Sequence, residues 1–373
     1  MFANFPFDRV NWFTSSFLIL TFLVSLIGVP LFFVFFGFDW FYFALFAVFF
    51  ILTGMSITLG YHRLFAHRSF DAKKPVKLFT LLFGAAAFED SALDWASDHR
   101  QHHKHVDDEH EDPYSISRGF FWAHMGWIFF KLYPRELANV GDLKKDQLVM
   151  WQHRHHRVIG VAIGLLLPTL IGALYGGMIG AFGGLLFGGV ARLVAVQHCT
   201  FFINSLCHTI GRRPYDSKTS ARDSWIMAIF TFGEGYHNYH HSFQHDYRNG
   251  VKPWQWDPTK WAIWCLSKVG LVSKMRKVAE EKIVLAEIRE TRRRAEEHLN
   301  EHRQWYLSCP NREAAAAKLA GLSRNLGKGY TELEESLSSR IRLSKEKLRY
   351  WKDQVTDTVE HLSILQGMQP GIA

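Results

Sequence analysis

The sequence predicts an all-α integral membrane protein with four transmembrane helices, a cytosolic helical cap holding a di-metal site and a charged helical C-terminal extension. Three observations lead to this prediction. Hydrophobic residues make up 48% of the 373 residues, and they gather in long stretches separated by charged segments. Histidines form tight groups within the charged segments. From about residue 278 the chain is charged and helix-prone.

Four apolar stretches are the candidate membrane spans, at about residues 12–36, 40–60, 158–174 and 178–203. A helix of roughly 20 apolar residues crosses about 30 Å of hydrocarbon, and membrane helices tolerate a proline such as Pro168. The N-terminus has no basic stretch and no small-residue cleavage site, so we expect the first span to be a retained helix rather than a signal peptide.

The distribution of basic residues predicts the topology. The connectors within each pair of spans lack lysine and arginine, whereas residues 61–157 and those after 203 are rich in both. The positive-inside rule therefore places both termini and the histidine groups in the cytoplasm. We predict a membrane-bound domain over residues 1–293, with its cap formed by 61–157 and 204–293, and an extension over 294–373. The extension is either a coiled coil or a solvated helical tail.

Nine histidines are the candidate metal ligands of the cap. In H-x-x-H-H the histidines stand at positions i, i+3 and i+4, which are neighbours on one face of a helix. Two copies of this motif facing each other can enclose two metals. The nine residues are His62, His67, His99, His102, His103, His208, His237, His240 and His241.

The H-x4-H pair has a different spacing. Residues five apart diverge on an ideal α-helix, so His62 and His67 are expected where the second span ends and the backbone turns. Glycine at position 60 makes such a break easy. A further cluster, His153, His155 and His156, adjoins the third span among arginines and is interpreted as an interfacial basic cluster rather than a metal site.

The ligand type indicates the metal. Imidazole suits zinc, copper, iron and nickel, but one four-coordinate zinc would use only three or four of the nine nitrogens. A two-metal centre of redox-active iron is the best match. Four acidic residues near the motifs could accept the second N–H of a ligand imidazole. They are Asp94, Asp98, Glu234 and Asp246.

Several function classes fit poorly. The net charge of +8 is not arranged as an aromatic-interleaved nucleic-acid surface. A transporter would place its polar ligands within broken spans near the middle of the membrane, whereas these histidines lie outside the spans. A zinc hydrolase is disfavoured because the chain has no H-E-x-x-H motif and no nucleophile elbow.

The motifs resemble those of the membrane-bound fatty acid desaturases, in particular the acyl-CoA delta-9, stearoyl-CoA-like branch. The resemblance covers about residues 15–290. It rests on G-Y-H-R-L-F-A-H (60–67), D-H-R-Q-H-H-K (98–104), R-G-F-F-W-A-H-M-G-W (118–127), N-S-L-C-H (204–208), R-P-Y-D (213–216) and G-E-G-Y-H-N-Y-H-H-S-F (233–243).

The resemblance implies four transmembrane helices beneath a cytosolic cap that holds two irons. The nine histidines match the family's ligands, and Asn204 matches an asparagine that reaches one metal through water. The implied activity is insertion of a cis double bond into a saturated acyl-CoA, with O₂ as co-substrate and no catalytic residues beyond the di-iron ligands. Electrons come from a separate ferredoxin or cytochrome b5-like protein. We expect a multi-pass protein of a bacterial inner membrane rather than the endoplasmic reticulum.

Two departures from the family pattern concern the substrate head group. Animal members have arginine where this chain has Ser97, and they have consecutive basic residues where this chain keeps only Lys131. The candidate substrate-binding residues are Trp95, Asp98 and Lys131. Acyl carrier protein thioesters and phospholipid acyl chains stay open as substrates. The rival function is a di-iron fatty-acyl or alkyl hydroxylase, because hydroxylation and desaturation share their first hydrogen abstraction.

Overall fold

The computed structural model describes residues 7–130, 137–308 and 310–367, and most of these residues are helical. The chain divides into two compact units: one comprises the chain up to Gly211 together with Ser220–Arg276, and the other comprises Arg212–Thr219 and the chain from Lys277 onward. The α-helices of the first unit are α1 (Trp12–Phe36), α2 (Trp40–Met55), α3 (Lys74–Ala85), α4 (Ala92–Lys104), α5 (Phe120–His124), α6 (Gln147–Val161), α7 (Leu167–Gly183), α8 (Arg192–Ser205), α9 (Trp225–Phe230), α10 (His237–Ser242) and α11 (Pro258–Lys268).

Short 3₁₀ turns, π-helices and one small sheet complete the first unit. The strands β1 (Asp71–Ala72) and β2 (Val272–Ser273) pair antiparallel, with Asp71 opposite Ser273. The 3₁₀ turns are Phe7–Arg9, Ile116–Arg118, Gly126–Phe129, Ala138–Val140, Leu143–Lys145 and Leu206–His208, and the π-helices are Ser56–Ala66, Ala162–Leu166 and Gly184–Ala191.

Within the described residues, three helical segments are long and apolar enough to cross a membrane. They are Trp12–Phe36, Trp40–Ala66 and Gln147–His208. Many of their large apolar side chains point outward: Val34 is 76% exposed, Leu174 is 89% exposed and Met178 is 86% exposed. Outward-facing apolar side chains along such helices are what a lipid environment accommodates.

The predicted third and fourth spans both lie in the 62-residue helix Gln147–His208. The helix bends where the sequence places a connector, because Gly176 and Gly177 have non-helical torsion angles and Gly177 has φ +60°. Beyond the bend the chain folds back on itself. A Cβ on Gly172 would lie 2.1 Å from the carbonyl oxygen of Gly180, so the close approach of the two halves requires glycine at both positions.

The helix that begins at Trp40 does not end near Gly60. The helix continues as the π-helix Ser56–Ala66, so the predicted backbone turn at Gly60 is wrong. Gly60 instead allows close packing of a neighbouring helix, since a Cβ there would lie 2.4 Å from Cβ of Thr80 on α3. This π-helix, α3 and α4 surround one hydrophobic core that includes Tyr61, Leu81 and Leu93.

The second unit is a bundle of helices. They are α12 (Glu280–Glu301), α13 (Arg303–Leu307), α14 (Pro310–Ser339) and α15 (Lys345–Gly367). Val284 and Ile288 of α12 pack with Leu326 of α14 and Trp351 of α15 in a shared core. The helices therefore bury apolar faces against each other and are not a solvated tail. The predicted domain boundary near residue 294 falls inside α12.

Candidate metal centre

The nine candidate histidines come together in two groups within the first unit. The ligand nitrogens of each group lie within 4.8 Å of one another, so each group could hold a metal ion. The five-histidine group consists of His62, His67, His99, His103 and His240, and the four-histidine group consists of His102, His208, His237 and His241.

Each H-x-x-H-H motif is divided between the two groups. On α4, His99 and His103 join the five-histidine group, while His102 joins the other. On α10 the assignment is reversed, since the i and i+4 residues join the four-histidine group and His240 joins the five-histidine group. The two short helices therefore face each other and hold the groups side by side.

The H-x4-H pair reaches its group through the π-helix. A π-helix has i to i+5 hydrogen bonds, and the backbone N–H of His67 donates to the carbonyl of His62 at 3.0 Å. Residues five apart therefore lie closer to the same side of this wider helix than on an α-helix, and the two imidazole rings have centroids 4.7 Å apart.

The Nε2 atoms of the histidines converge. In the five-histidine group, Nε2 of His240 lies 3.0 Å from that of His62 and 2.9 Å from that of His103. In the four-histidine group, Nε2 of His237 lies 3.1 Å from that of His208 and 3.0 Å from that of His241. Neutral imidazole coordinates a metal ion through the lone pair of an unprotonated ring nitrogen. The converging Nε2 atoms can therefore enclose a metal cation.

The surroundings keep these imidazoles neutral. Burial and the proximity of other histidines lower the pKa far below the ordinary value for six of them: His67, His99, His103, His237, His240 and His241. A neutral ring retains the lone pair that a metal requires. The nitrogens are therefore available as ligands at neutral pH.

The outward-facing Nδ1 atoms of three histidines have polar partners. His62 Nδ1 lies 2.9 Å from Glu234 Oε2, and His102 Nδ1 lies 2.9 Å from Asp112 Oδ2. His208 Nδ1 lies 2.6 Å from Ser220 Oγ, which itself hydrogen-bonds Asp107. Such partners fix the tautomer and orientation of a ligand imidazole.

Of the four predicted acidic partners, Glu234 contacts a histidine of the centre. Asp94 instead lies 3.2 Å from His153 Nδ1, and Asp246 accepts from Tyr239 and Arg248. Asp98 lines a cavity described below. Sequence reasoning missed Asp112, Asp107 and Ser220, because they lie outside the histidine motifs and reach them through loops. The acidic run D-D-E-H-E-D after the second motif was the available signal.

Removing the carboxylate of Asp112 is expected to weaken metal binding by about 10- to 100-fold, the usual effect of losing the residue that orients a ligand imidazole. Asp112→Ala leaves Nδ1 of His102 without its buried partner. The measurement is metal content after dialysis against graded chelator. Glu111→Ala is the matched control, since Glu111 is exposed. Equal metal retention by both variants would contradict the orienting role.

A mostly apolar cavity of about 820 Å³ reaches the centre. Its wall includes His99 from the five-histidine group and His237 from the other, together with Trp95, Asp98 and Asn204. Trp95 stacks on His99, with ring centroids 4.8 Å apart and an interplanar angle of 24°. Two of the predicted substrate-binding residues therefore line this cavity, and Lys131 lies outside the described residues.

The histidines near the third span lie outside both groups. His153 on α6 hydrogen-bonds Ser91 Oγ through Nδ1 at 2.7 Å, and His156 Nδ1 lies 2.8 Å from the carbonyl oxygen of His153. The His153–Ser91 contact anchors the start of α4 against α6, since Ser91 is the N-cap of α4.

Comparison with known proteins identifies the family. A family model described as fatty acid desaturase matches residues 38–263. The chain is 35% identical to stearoyl-CoA desaturase of Homo sapiens over 258 residues, which cover 67% of this chain and 71% of the human protein. The chain belongs to the fatty acid desaturase family. The family model covers all nine histidines of the two groups.

Two yeast desaturases are also similar to this chain. It is 43% identical to a probable acyl-CoA desaturase of Schizosaccharomyces pombe over 239 residues, or 63% of this chain and 49% of that protein. It is 42% identical to acyl-CoA desaturase 1 of Saccharomyces cerevisiae over 253 residues, or 67% of this chain and 49% of that protein. The matched region thus spans about half the length of these two relatives.

The donor set of this family member fits a pair of metal ions. Both groups offer nitrogen ligands, and Nε2 of His102 is buried without a hydrogen-bond partner in the part of the chain that the structure describes. A buried polar atom without a partner costs free energy, and a metal ion between the converging nitrogens would satisfy it. Imidazole-rich sites of this kind suit first-row transition metals.

Proposed function

We propose that this protein is an oxygen-dependent fatty acyl desaturase that introduces a cis double bond, at the delta-9 position, into a saturated acyl-CoA. The observation that carries the proposal is the cavity of about 820 Å³, whose mostly apolar wall passes both histidine groups. A long apolar chain fits such a cavity, and the groups beside it can hold metal ions. The similarity to acyl-CoA desaturases of yeasts supports the substrate class.

The nine histidines are proposed to ligate two iron ions, with Asn204 reaching one of them through a water molecule. Iron held there would supply the redox chemistry with O₂ that removes hydrogens from two adjacent methylene groups. The protein's own residues orient the chain and exclude water. Trp95, stacked on His99, forms the wall where the chain passes the centre.

The folded helices and the charge distribution support a proposed membrane arrangement. We place four spans in the bilayer, with Gln147–His208 contributing two of them on either side of Gly176 and Gly177. The histidine groups and both termini lie on the cytosolic side, where the basic connectors are expected. The proposed location is a bacterial inner membrane rather than the endoplasmic reticulum.

The residues that bind the substrate and the type of electron donor are proposed from the charges of the chain and from its family. Trp95, Asp98 and Lys131 are the proposed substrate-binding residues, and Arg157 is a further cation on the cavity wall. A separate acidic carrier, a ferredoxin or a cytochrome b5-like protein, fits a chain with a net charge of +8.

The test is the fatty-acid profile of a host rich in saturated lipid that expresses the chain, beside the same host expressing His103→Ala. Mass spectrometry locates any new double bond. A monoene formed only by the unsubstituted protein supports desaturation and gives its position. A hydroxylated chain would assign the protein to the rival oxygenases. With a ferredoxin or cytochrome b5 supplied, an unchanged profile would contradict the proposal.

Filling the space beside Gly54 is expected to change the chain-length preference. A Cβ at Gly54 would lie 2.3 Å from Cε2 of Phe232, and both residues line the cavity. Gly54→Ala therefore pushes the Phe232 ring into the cavity and favours shorter acyl chains. The measurement is the ratio of products from acyl chains of different length. Gly141→Ala is the control, since no atom lies within 4 Å of a Cβ there. An unchanged ratio would contradict this assignment of the cavity wall.

A further inference from the structure

Glu89 places a carboxyl group in the wall of the cavity, on the connector between α3 and α4. Its Oε2 accepts a hydrogen bond from Trp95 Nε1 at 3.3 Å. Its Oε1 is buried and has no hydrogen-bond partner within residues 7–130, 137–308 and 310–367. A polar group with one unsatisfied oxygen therefore lies beside the space proposed for the acyl chain.

The backbone holds this carboxyl in place. Phe88 has φ +53° and Asp90 has φ +65°, so a residue on each side of Glu89 adopts the left-handed conformation that side chains other than glycine seldom take. The backbone carbonyl groups of the two residues before Phe88 also accept hydrogen bonds. Arg192 donates to the Ala86 oxygen at 2.7 Å, and Gln197 donates to the Ala87 oxygen at 3.0 Å. Such a conformation persists only where surrounding contacts impose it, so the Glu89 side chain cannot readily leave the cavity wall.

The charge state of Glu89 follows from this position. Burial raises the pKa of the Glu89 carboxyl to about 8, although the nearby Thr200 hydroxyl and the Trp95 N–H act in the opposite direction. The Thr200 hydroxyl also lies 3.2 Å from the Val196 carbonyl, to which it donates. The titratable groups on the segments around Glu89 are Tyr61, Asp90, Asp94, His156, Arg157 and Cys199. Glu89 is therefore mainly a neutral acid at pH 7.

We propose that Glu89 is a specificity-determining residue of the acyl cavity, which accepts a saturated chain while the Glu89 carboxyl is protonated and resists the chain once it is ionised. The inference rests on the proposed function. An acyl chain that fills the cavity displaces the water that would solvate a carboxylate, and a buried charge without a partner is costly. A neutral carboxylic acid carries a much smaller penalty. Binding of the chain and protonation of Glu89 are therefore linked.

The linkage has a defined sign. Below about pH 8 the acid is neutral and the affinity for the acyl chain is constant. Above that pH the protonated fraction falls, and the affinity is expected to fall by about tenfold for each further pH unit. Glutamine has nearly the same shape and cannot ionise. Glu89→Gln should therefore bind the chain with the same affinity on both sides of this pH.

The experiment measures the dissociation constant of stearoyl-CoA for the purified metal-loaded protein, without reductant, from about pH 6 to about pH 10, which brackets the titration. The unsubstituted protein is compared with Glu89→Gln. Asp71→Asn is the charge-matched control, since Asp71 is an exposed carboxylate on β1. The expected result is a loss of affinity above about pH 8 in the unsubstituted protein and in Asp71→Asn, but not in Glu89→Gln.

Parallel pH dependence in the unsubstituted protein and Glu89→Gln would overturn the inference and leave the proposed function intact. Absence of stearoyl-CoA binding at every pH would instead count against the proposed function. If Glu89→Gln does not fold, Glu89→Leu takes its place. The infrared band of a protonated carboxylic acid in the unsubstituted protein gives a second measurement. A band that disappears near pH 8 supports the inference, and no band at neutral pH overturns it.

Discussion

Replacing His240 by alanine is expected to abolish turnover and to remove the metal ion from the five-histidine group. His240 Nε2 lies between Nε2 of His62 at 3.0 Å and Nε2 of His103 at 2.9 Å, so its loss opens the cage at its centre. Losing a residue that only orients a ligand costs about 10- to 100-fold in metal affinity or activity, and losing the ligand itself should cost more. The measurements are iron per chain and conversion of a saturated acyl substrate.

His155→Ala is the matched control for this experiment. His155 is an exposed imidazole on α6, outside both histidine groups, so its substitution should leave iron content and turnover unchanged. A His240→Ala variant that kept two iron ions and near-normal turnover would refute its assignment as a ligand. Loss of iron with correct membrane insertion would show that the histidine acts on the metal and not on folding.

Replacing Arg63 by methionine is expected to destabilise the protein by about 3–5 kcal/mol, the usual effect of removing one partner of a buried ion pair. Arg63 is 1% exposed. Its guanidinium lies 2.9 Å from Glu234 Oε1 and 3.0 Å from Asp257 Oδ1, and it donates to the Tyr247 carbonyl at 2.8 Å. Methionine fills similar space but leaves both carboxylates without their cation.

The same substitution is expected to disturb the metal centre. Burial by itself would raise the pKa of Glu234, but Arg63 and His62 hold that pKa below its ordinary value. Glu234 therefore stays ionised, and its Oε2 lies 2.9 Å from His62 Nδ1. Without Arg63 the carboxyl takes up a proton more easily, and the orientation of His62 is lost. Iron content should fall together with the thermal unfolding temperature.

Arg68→Met is the control for Arg63→Met. Arg68 is five residues away and also contacts a carboxylate, Asp142, at 3.6 Å, but its side chain is 60% exposed. Exposed ion pairs contribute about 0–1 kcal/mol because water screens them. The two variants remove the same charge and differ in burial. Equal unfolding temperatures in detergent would show that the buried network does not stabilise the fold.

Much of the helical architecture could be predicted from the sequence. The stretches at 12–36 and 40–60 lie in the helices Trp12–Phe36 and Trp40–Ala66, because long apolar runs have few alternatives to a helix in a membrane. The bend at Gly176 and Gly177 lies where a connector was predicted. The end of the second helix was predicted wrongly. Ideal α-helical geometry assigned a break to Gly60, whereas a π-helix accommodates the five-residue spacing of His62 and His67.

The amino-acid sequence by itself determined which side chains can form the metal centre. Histidines at these spacings are recognisable as candidate metal ligands without knowing which residues surround them in the fold. Tertiary structure decided how these histidines are divided between the two groups. His102 and His103 are adjacent in sequence but belong to different groups, since the facing of α4 and α10 assigns each imidazole to one cage. Tertiary structure also decided that Asp112 lies beside His102 and that Glu89 lies in the cavity wall. Their roles depend on burial and on contacts between distant segments, and a local sequence pattern carries neither.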